Sequence, residues 1–160
     1  MKRFMALMLA ITLGTAANAQ TNINLGGIST DPTAPVEVSA DNLSVDQGSG
    51  TAVFSGNVLV GQGDLRLSAG TVQVIYSDAT GDISQLLASG GVTFVTATES
   101  AEASSADYNL TSGVLKLSGS VLLTQGASAL SADAMTIDVK SGNAQMTGRV
   151  RTVFQQDGGN

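Results

Sequence analysis

The chain has 160 residues, of which 42% are hydrophobic, and a formal net charge of −6 at pH 7. This length and apolar content predict one domain with a sizeable core. The absence of cysteine and histidine excludes disulfides, thiolate zinc sites, thiol nucleophiles and imidazole bases. The acidic balance argues against a nucleic-acid partner.

Residues 1–19 have the pattern of a secretory signal peptide. Lys2 and Arg3 supply the positive start, residues 4–13 form an apolar stretch, and residues 17–19 read Ala-Asn-Ala, a small-x-small cleavage site. The apolar stretch is shorter than the roughly 20 residues that a membrane-spanning helix needs. We therefore expect cleavage before Gln20 and export of the mature protein.

The next segment, residues 20–35, is polar, rich in glycine and contains both prolines of the chain, which predicts a flexible lead-in. From residue 36 to residue 154 apolar residues recur at every second position, as in strands with one buried face. We expect an all-β domain over residues 36–154, followed by a disordered tail at residues 155–160.

Two short motifs interleave along the predicted domain. Ser/Thr-Gly-x-Val begins at Ser55, Ser89, Ser118 and Thr147. Ser-Ala-Asp occupies residues 39–41, 105–107 and 131–133, with Ser-Ala-Gly at 68–70 as a variant. They predict four stacked units, each with a strand, a turn and a return strand bent at a glycine. The periodicity leaves open whether the stack closes as a sandwich or stays open.

The aspartates of the second motif, Asp41, Asp107 and Asp133, are candidates for a metal site or a catalytic ladder. One carboxylate per unit, without neighbouring ligands, is a poor site for a hard cation. Aspartate after Ser-Ala at the start of a strand is typical of a residue that caps a turn, and we interpret all three in this way.

Three other patterns have a chemical and a structural interpretation. Residues 61–65, Gly-Gln-Gly-Asp-Leu, are similar to a calcium-binding nonapeptide repeat but occur once, which favours a hairpin turn. The motif glycines have neither the helix nor the lysine of a phosphate loop, so we interpret them as strand bends. Glu99 and Glu102 lie in a polar stretch, residues 96–105, predicted as a solvated hairpin end; a glycosidase carboxylate pair is the enzymatic alternative.

Residues 35–46 and 52–63, PVEVSADNLSVD and AVFSGNVLVGQG, closely resemble the opening of LptA and OstA-like domains. Later family segments reappear at residues 108–110 and 117–121, so the resemblance covers roughly residues 35–154. It implies an OstA-like open β-jelly-roll, or β-taco, in the periplasm, whose apolar groove holds the acyl chains of lipopolysaccharide between the two membranes. It also implies a protein that is not an enzyme and needs no cofactor or metal.

The resemblance implies lipid-facing side chains at Val36, Val38, Phe94, Tyr108 and Leu110. Along the same alternating face we expect the groove to include Leu43, Phe54, Val58, Val74, Tyr76, Leu117, Val121, Ile137 and Val150. The two tyrosines are expected at the groove mouth or in the core, with the hydroxyl reaching water or backbone.

Unpaired edge strands, at Val36 and Val38 and at Val150 and Phe154, are the predicted partner sites. The partners that the resemblance implies are LptC-like inner-membrane and LptD-like outer-membrane jelly-roll domains and further copies of the chain, joined head to tail. A closed structural β-solenoid, a membrane-tethered LptC-like subunit and a polysaccharide-active enzyme are the alternatives.

Overall fold

The computed structural model describes residues 21–24, 31 and 33–154; the predicted signal peptide and tail lie outside this range. The described chain consists of strands and turns. The strands are β1 (Thr21–Asn24), β2 (Val36–Ser39), β3 (Asn42–Asp46), β4 (Thr51–Gln62), β5 (Leu65–Tyr76), β6 (Ile83–Val95), β7 (Glu99–Asn109), β8 (Val114–Gln125), β9 (Ser128–Asp138), β10 (Asn143–Thr147) and β11 (Arg151–Val153). In this part of the chain, no helix is long and apolar enough to cross a membrane.

The strands form one antiparallel sheet in the order β1-β10-β9-β8-β7-β6-β5-β4-β2, with β3 also on β4 and β11 also on β9. From β4 to β10, sequential strands are neighbours, as four stacked hairpins require. β2 begins at Val36, where the sequence alternation begins. β1 lies in the predicted lead-in and pairs with β10 at the far edge, a pairing that the polar, glycine-rich sequence of this segment does not predict.

The motif glycines bend the strands, as predicted. Gly56 and Asn57 both have positive φ, 80° and 46°, and the register with β5 shifts between Ser55 and Val58. The pairs at 90–91, 119–120 and 148–149 also have positive φ. Because glycine adopts this backbone region without steric cost, each bend begins at the motif glycine.

The bends divide the sheet into two halves. The β3 half contains β1, β3, β10 and residues 51–55, 71–76, 83–89, 105–109, 114–118 and 134–138. The β2 half contains β2, β11 and residues 58–62, 65–69, 92–95, 99–103, 121–125 and 128–132. No described strand of one half is hydrogen-bonded across the interior to a strand of the other. The result is a folded but unclosed sheet, an all-β open jelly-roll as predicted.

The core lies between the inner faces of the two halves. One row of facing side chains crosses the β3 half through Leu43, Phe54, Val72, Ala88, Ala106, Leu117, Met135 and Met146. A matching row crosses the β2 half through Val38, Val60, Leu67, Phe94, Ala101, Leu123 and Leu130. Phe94, Leu123 and Ile137 are fully buried, so each half covers the other.

Asp41 and Asp133 brace bends, so the prediction that they cap turns is wrong. The backbone N–H of Asp41 donates to the Gly56 carbonyl at 2.9 Å, and Asn57 Nδ2 donates to Asp41 Oδ2 at 2.8 Å. In the same way, the backbone N–H of Asp133 donates to the Gly148 carbonyl at 2.8 Å, and the Arg149 guanidinium donates to the Asp133 carboxylate. This ion pair holds the pKa of Asp133 below its usual value. Turns are capped by other carboxylates, such as Asp46.

The remaining Ser-Ala-Asp tripeptide, residues 105–107, does not lie beside a bend glycine as the other two do. In β7 the residue that contacts the bend is Ser104, whose hydroxyl donates to the Gly119 carbonyl at 3.1 Å. Asp107 instead accepts a hydrogen bond from Gln85 Nε2 at 2.7 Å. Asp107 therefore lies three residues beyond the position that contacts the bend, and the prediction that it is equivalent to Asp41 and Asp133 is wrong. Identical tripeptides on bent strands can lie at different distances from the bend.

Candidate functional site

The predicted groove residues fall into three groups by exposure. Buried residues of the group are Val58, Val74, Phe94, Tyr108, Leu117, Val121 and Ile137. Val36, Val38, Phe54 and Leu110 are half-buried against this core. Leu43, Tyr76 and Val150 are exposed. The interior is thus already filled by the chain's own side chains, and a ligand reaches the buried group only when the two halves separate.

The two halves leave a cleft of about 600 Å³ between their turn-bearing ends, which we call the mouth cleft. Its lining residues are Thr33, Ala34, Val36, Gln62, Tyr76, Gly81, Asp82, Ile83 and Leu110. Val36, Tyr76 and Leu110 were predicted for the groove, whereas Gln62 and Ile83 were not. The alternation through Val58 and Val60 continues to Gln62 and would place it on the inner face. Gln62 is also the central residue of a Gly-Gln-Gly sequence, however, which is more typical of an exposed turn.

A buried polar pair connects the two halves beside the mouth cleft. The Tyr108 hydroxyl of the β3 half donates to Gln62 Oε1 of the β2 half at 2.9 Å. Gln62 Nε2 donates in turn to the Ala34 carbonyl at 3.1 Å. Burial raises the pKa of Tyr108 above its ordinary value, because an apolar surrounding disfavours the phenolate. The expectation that this hydroxyl reaches water or backbone was wrong, since its partner is a side-chain amide.

A second polar cluster lies around Glu99, the first residue of β7. Glu99 is buried, and its carboxylate accepts hydrogen bonds from the hydroxyls of Thr96 and Thr98, at 2.7 and 2.6 Å, and from Gln125 Nε2 at 3.1 Å. The prediction of a solvated hairpin end over residues 96–105 is therefore wrong from Glu99 onward. These donors offset the cost of burying the carboxylate.

The two carboxylates of the enzymatic alternative do not converge. Glu99 is paired with Gln125 on the inner face, whereas Glu102, three residues later on the same strand, is exposed on the outer face opposite Thr93 and Leu122. Glycoside hydrolysis needs two carboxylates on either side of one bond. Among the described residues, no group of three or more Asp or Glu is arranged to hold a metal ion.

Each end of the sheet presents edge strands with exposed apolar side chains. Val36 and Val38 lie on β2, which pairs with β4 and with no other strand of the described chain. On the same end of the sheet, in the other half, β3 exposes Leu43 and Val45 by 56% and 61%. At the other end, Val150, Val153 and Phe154 are exposed on and around β11, which among the described strands pairs with β9 alone. The predicted partner residues therefore lie at the two ends of the same sheet.

Comparison with known proteins identifies the family. Residues 37–143 match the family described as LptA/(LptD N-terminal domain) LPS transport protein. The chain belongs to this family. An uncharacterized protein of Rhizobium meliloti (strain 1021) is 29% identical over 146 residues, which cover 86% of this chain and 78% of that relative.

A solved structure shows the same fold. LptH from Pseudomonas aeruginosa, described as the LptA homologous periplasmic component of the conserved lipopolysaccharide transport device, superposes with a TM-score of 0.71 at 19% identity. The match covers 79% of this chain and 99% of that structure. The family assignment and the open jelly-roll predicted from the sequence are therefore both confirmed.

Proposed function

We propose that this protein holds the acyl chains of lipopolysaccharide between the two halves of its sheet, in the periplasm, and passes them along a bridge between the inner and outer membranes. The observation that supports this is the continuous apolar row of the inner face, which runs from Leu43 at one edge to Met146 beside the other. Family membership gives the transported lipid, and this face gives the protein a surface of suitable chemistry for acyl chains.

The two halves can part without loss of strand pairing. They are continuous through the bent strands, and across the interior they meet through side chains. Each apolar side chain uncovered by opening can be covered again by an acyl chain, at roughly 25 cal/mol per Å² of apolar surface. Lipid can thus replace the contacts between the halves, with its charged head group left outside at the mouth cleft.

Edge strands are the proposed contacts with neighbouring domains of the bridge. The exposed inner-face residues Leu43 and Val45 would extend their apolar rows into a second jelly-roll. The last edge of that jelly-roll, around Val150 to Phe154, lies in its β2 half and would pair with β2. Antiparallel strand addition supplies main-chain hydrogen bonds at such an edge. Head-to-tail copies, and LptC-like and LptD-like domains at the ends, would give one continuous groove.

Photo-crosslinking in living cells tests the carrier function. A photoreactive residue is placed at Leu110, in the mouth cleft, or at Phe94, in the buried row. The neighbouring residues Asn109 and Thr93, on the outer face of β7 and β6, are the controls. We expect lipopolysaccharide adducts from Leu110 and Phe94 and none from the controls. Because Leu110 is half-buried, it is the substitution that least disturbs packing.

The alternatives give different results in the same experiment. A closed structural solenoid gives no adduct at either groove position although the protein is folded and exported. Equal adducts from both faces would indicate nonspecific lipid contact and contradict the groove. N-terminal sequencing of the exported protein separates a soluble form that begins at Gln20 from a tethered LptC-like form that retains its first segment.

A further inference from the structure

The Gln62–Tyr108 pair is one of two buried polar features on the inner face, the other being the cluster around Glu99. Tyr108 belongs to a row that continues through Leu86 and Leu115 on the neighbouring strands, and both members of the pair are almost fully buried, 2% and 3% exposed. The pair also joins opposite halves of the sheet. Any separation of the halves at this point must break the hydrogen bond between them.

When this bond breaks, only some ligands can supply new hydrogen-bond partners to the two side chains. The break takes the acceptor away from the Tyr108 hydroxyl and the Tyr108 donor away from Gln62 Oε1, at a point where Leu86 and Leu115 flank Tyr108. A buried polar group that loses its hydrogen-bond partner destabilises the state in which the partner is lost. A saturated hydrocarbon chain offers neither a donor nor an acceptor. An ester carbonyl offers an acceptor to Tyr108 but no donor to Gln62.

A hydroxyl group meets both needs at once. Its oxygen accepts from the Tyr108 hydroxyl and its hydrogen is donated to Gln62 Oε1, so it can be inserted into the existing hydrogen bond as the halves move apart. The position along the ligand follows from the mouth cleft, which Gln62 itself lines. A chain that enters through the cleft with its polar end outside presents the carbons closest to that end to the pair.

We infer that Gln62 and Tyr108 form a specificity site for an acyl chain that bears a hydroxyl group close to its polar end. This inference rests on the proposed function, since it assumes that acyl chains enter between the halves. It adds a chemical preference that an apolar groove alone does not have. The two residues discriminate hydroxylated chains from plain chains of the same length.

The test compares two probes that differ by one oxygen, 3-hydroxymyristate and myristate. Their affinities for the purified full-length protein are measured by displacement of a fluorescent fatty acid. We expect the wild type to bind the hydroxylated probe about five- to thirtyfold more tightly, the ratio that corresponds to one buried polar group regaining its partner. In the double variant Gln62→Met/Tyr108→Phe, which keeps side-chain size and removes both polar groups, the ratio should fall to about one.

A matched control and a milder variant keep the result interpretable. Gln85→Met makes the same change on the outer face, where Gln85 donates to Asp107, and should leave the ratio unchanged. Should the double variant fail to fold by circular dichroism, Tyr108→Phe alone, which removes a single oxygen, must still lower the ratio. A wild-type ratio of one, or a ratio that survives in the variants, overturns the specificity site while the carrier function stands. Failure of the wild type to bind either probe contradicts both proposals.

Discussion

The bend glycines set the angle between the halves, and Gly119 offers a sharp test of this. Its φ is +84°, and a Cβ added there would lie 2.5 Å from Ser104 Oγ and 2.7 Å from Ser104 Cβ. Gly119→Ala therefore has two costs. The left-handed backbone costs alanine about 1–2 kcal/mol, and the overlap with Ser104, which cannot rotate its own Cβ away, costs about 1–3 kcal/mol more.

Gly91 is the matched control, because its φ is +81° and an added Cβ would meet no atom within 4 Å. Gly91→Ala should lose only the backbone component, about 1–2 kcal/mol, against about 2–5 kcal/mol for Gly119→Ala. Urea unfolding at constant m-value measures both. The reversal Ser104→Gly combined with Gly119→Ala should recover the overlap component. Equal losses at Gly119 and Gly91, or no recovery in the double variant, would refute the close approach of β7 to this bend.

Three further predictions concern the ends of the groove, its core and its pH dependence. Leu43→Asp should reduce head-to-tail assembly in size-exclusion chromatography without unfolding the chain. Leu59→Asp, which changes a similarly exposed leucine (52% against 56%), should leave assembly unchanged. Equal effects of the two variants would contradict the proposal that the β3 edge is an assembly contact. Phe94→Ala should cost about 3–5 kcal/mol in urea unfolding, because the ring is fully buried; a loss below about 1 kcal/mol would mean that the ring is not packed in solution. Burial raises the folded-state pKa of Tyr108, so its contribution to stability is complete below the unfolded pKa near 10 and is lost as pH rises through the raised value. Tyr108→Phe should therefore show a smaller fall in urea midpoint between about pH 9 and 11 than the wild type; an identical fall would contradict the burial.

The local pattern of the sequence was sufficient to predict the class of fold. Alternation from residue 36 onward predicts strands with one apolar face, and the four Ser/Thr-Gly-x-Val motifs predict where the strands bend, because a positive φ strongly favours glycine. Both features depend on neighbours within a few residues. They were therefore visible without the structure, as was the resemblance at residues 35–63 that indicated the family.

Register and long-range pairing needed the tertiary structure. A bend can shift the alternation along a strand, so Asp107 and Asp133, in the same tripeptide, lie in different places, and Glu99 is buried although its stretch is polar. The bond between Gln62 and Tyr108 joins residues 46 positions apart, a separation at which the periodicity of either strand carries no information about the other. The sequence by itself determined a bent, two-faced sheet of this family; only the folding of one half onto the other decided which polar side chains meet inside it.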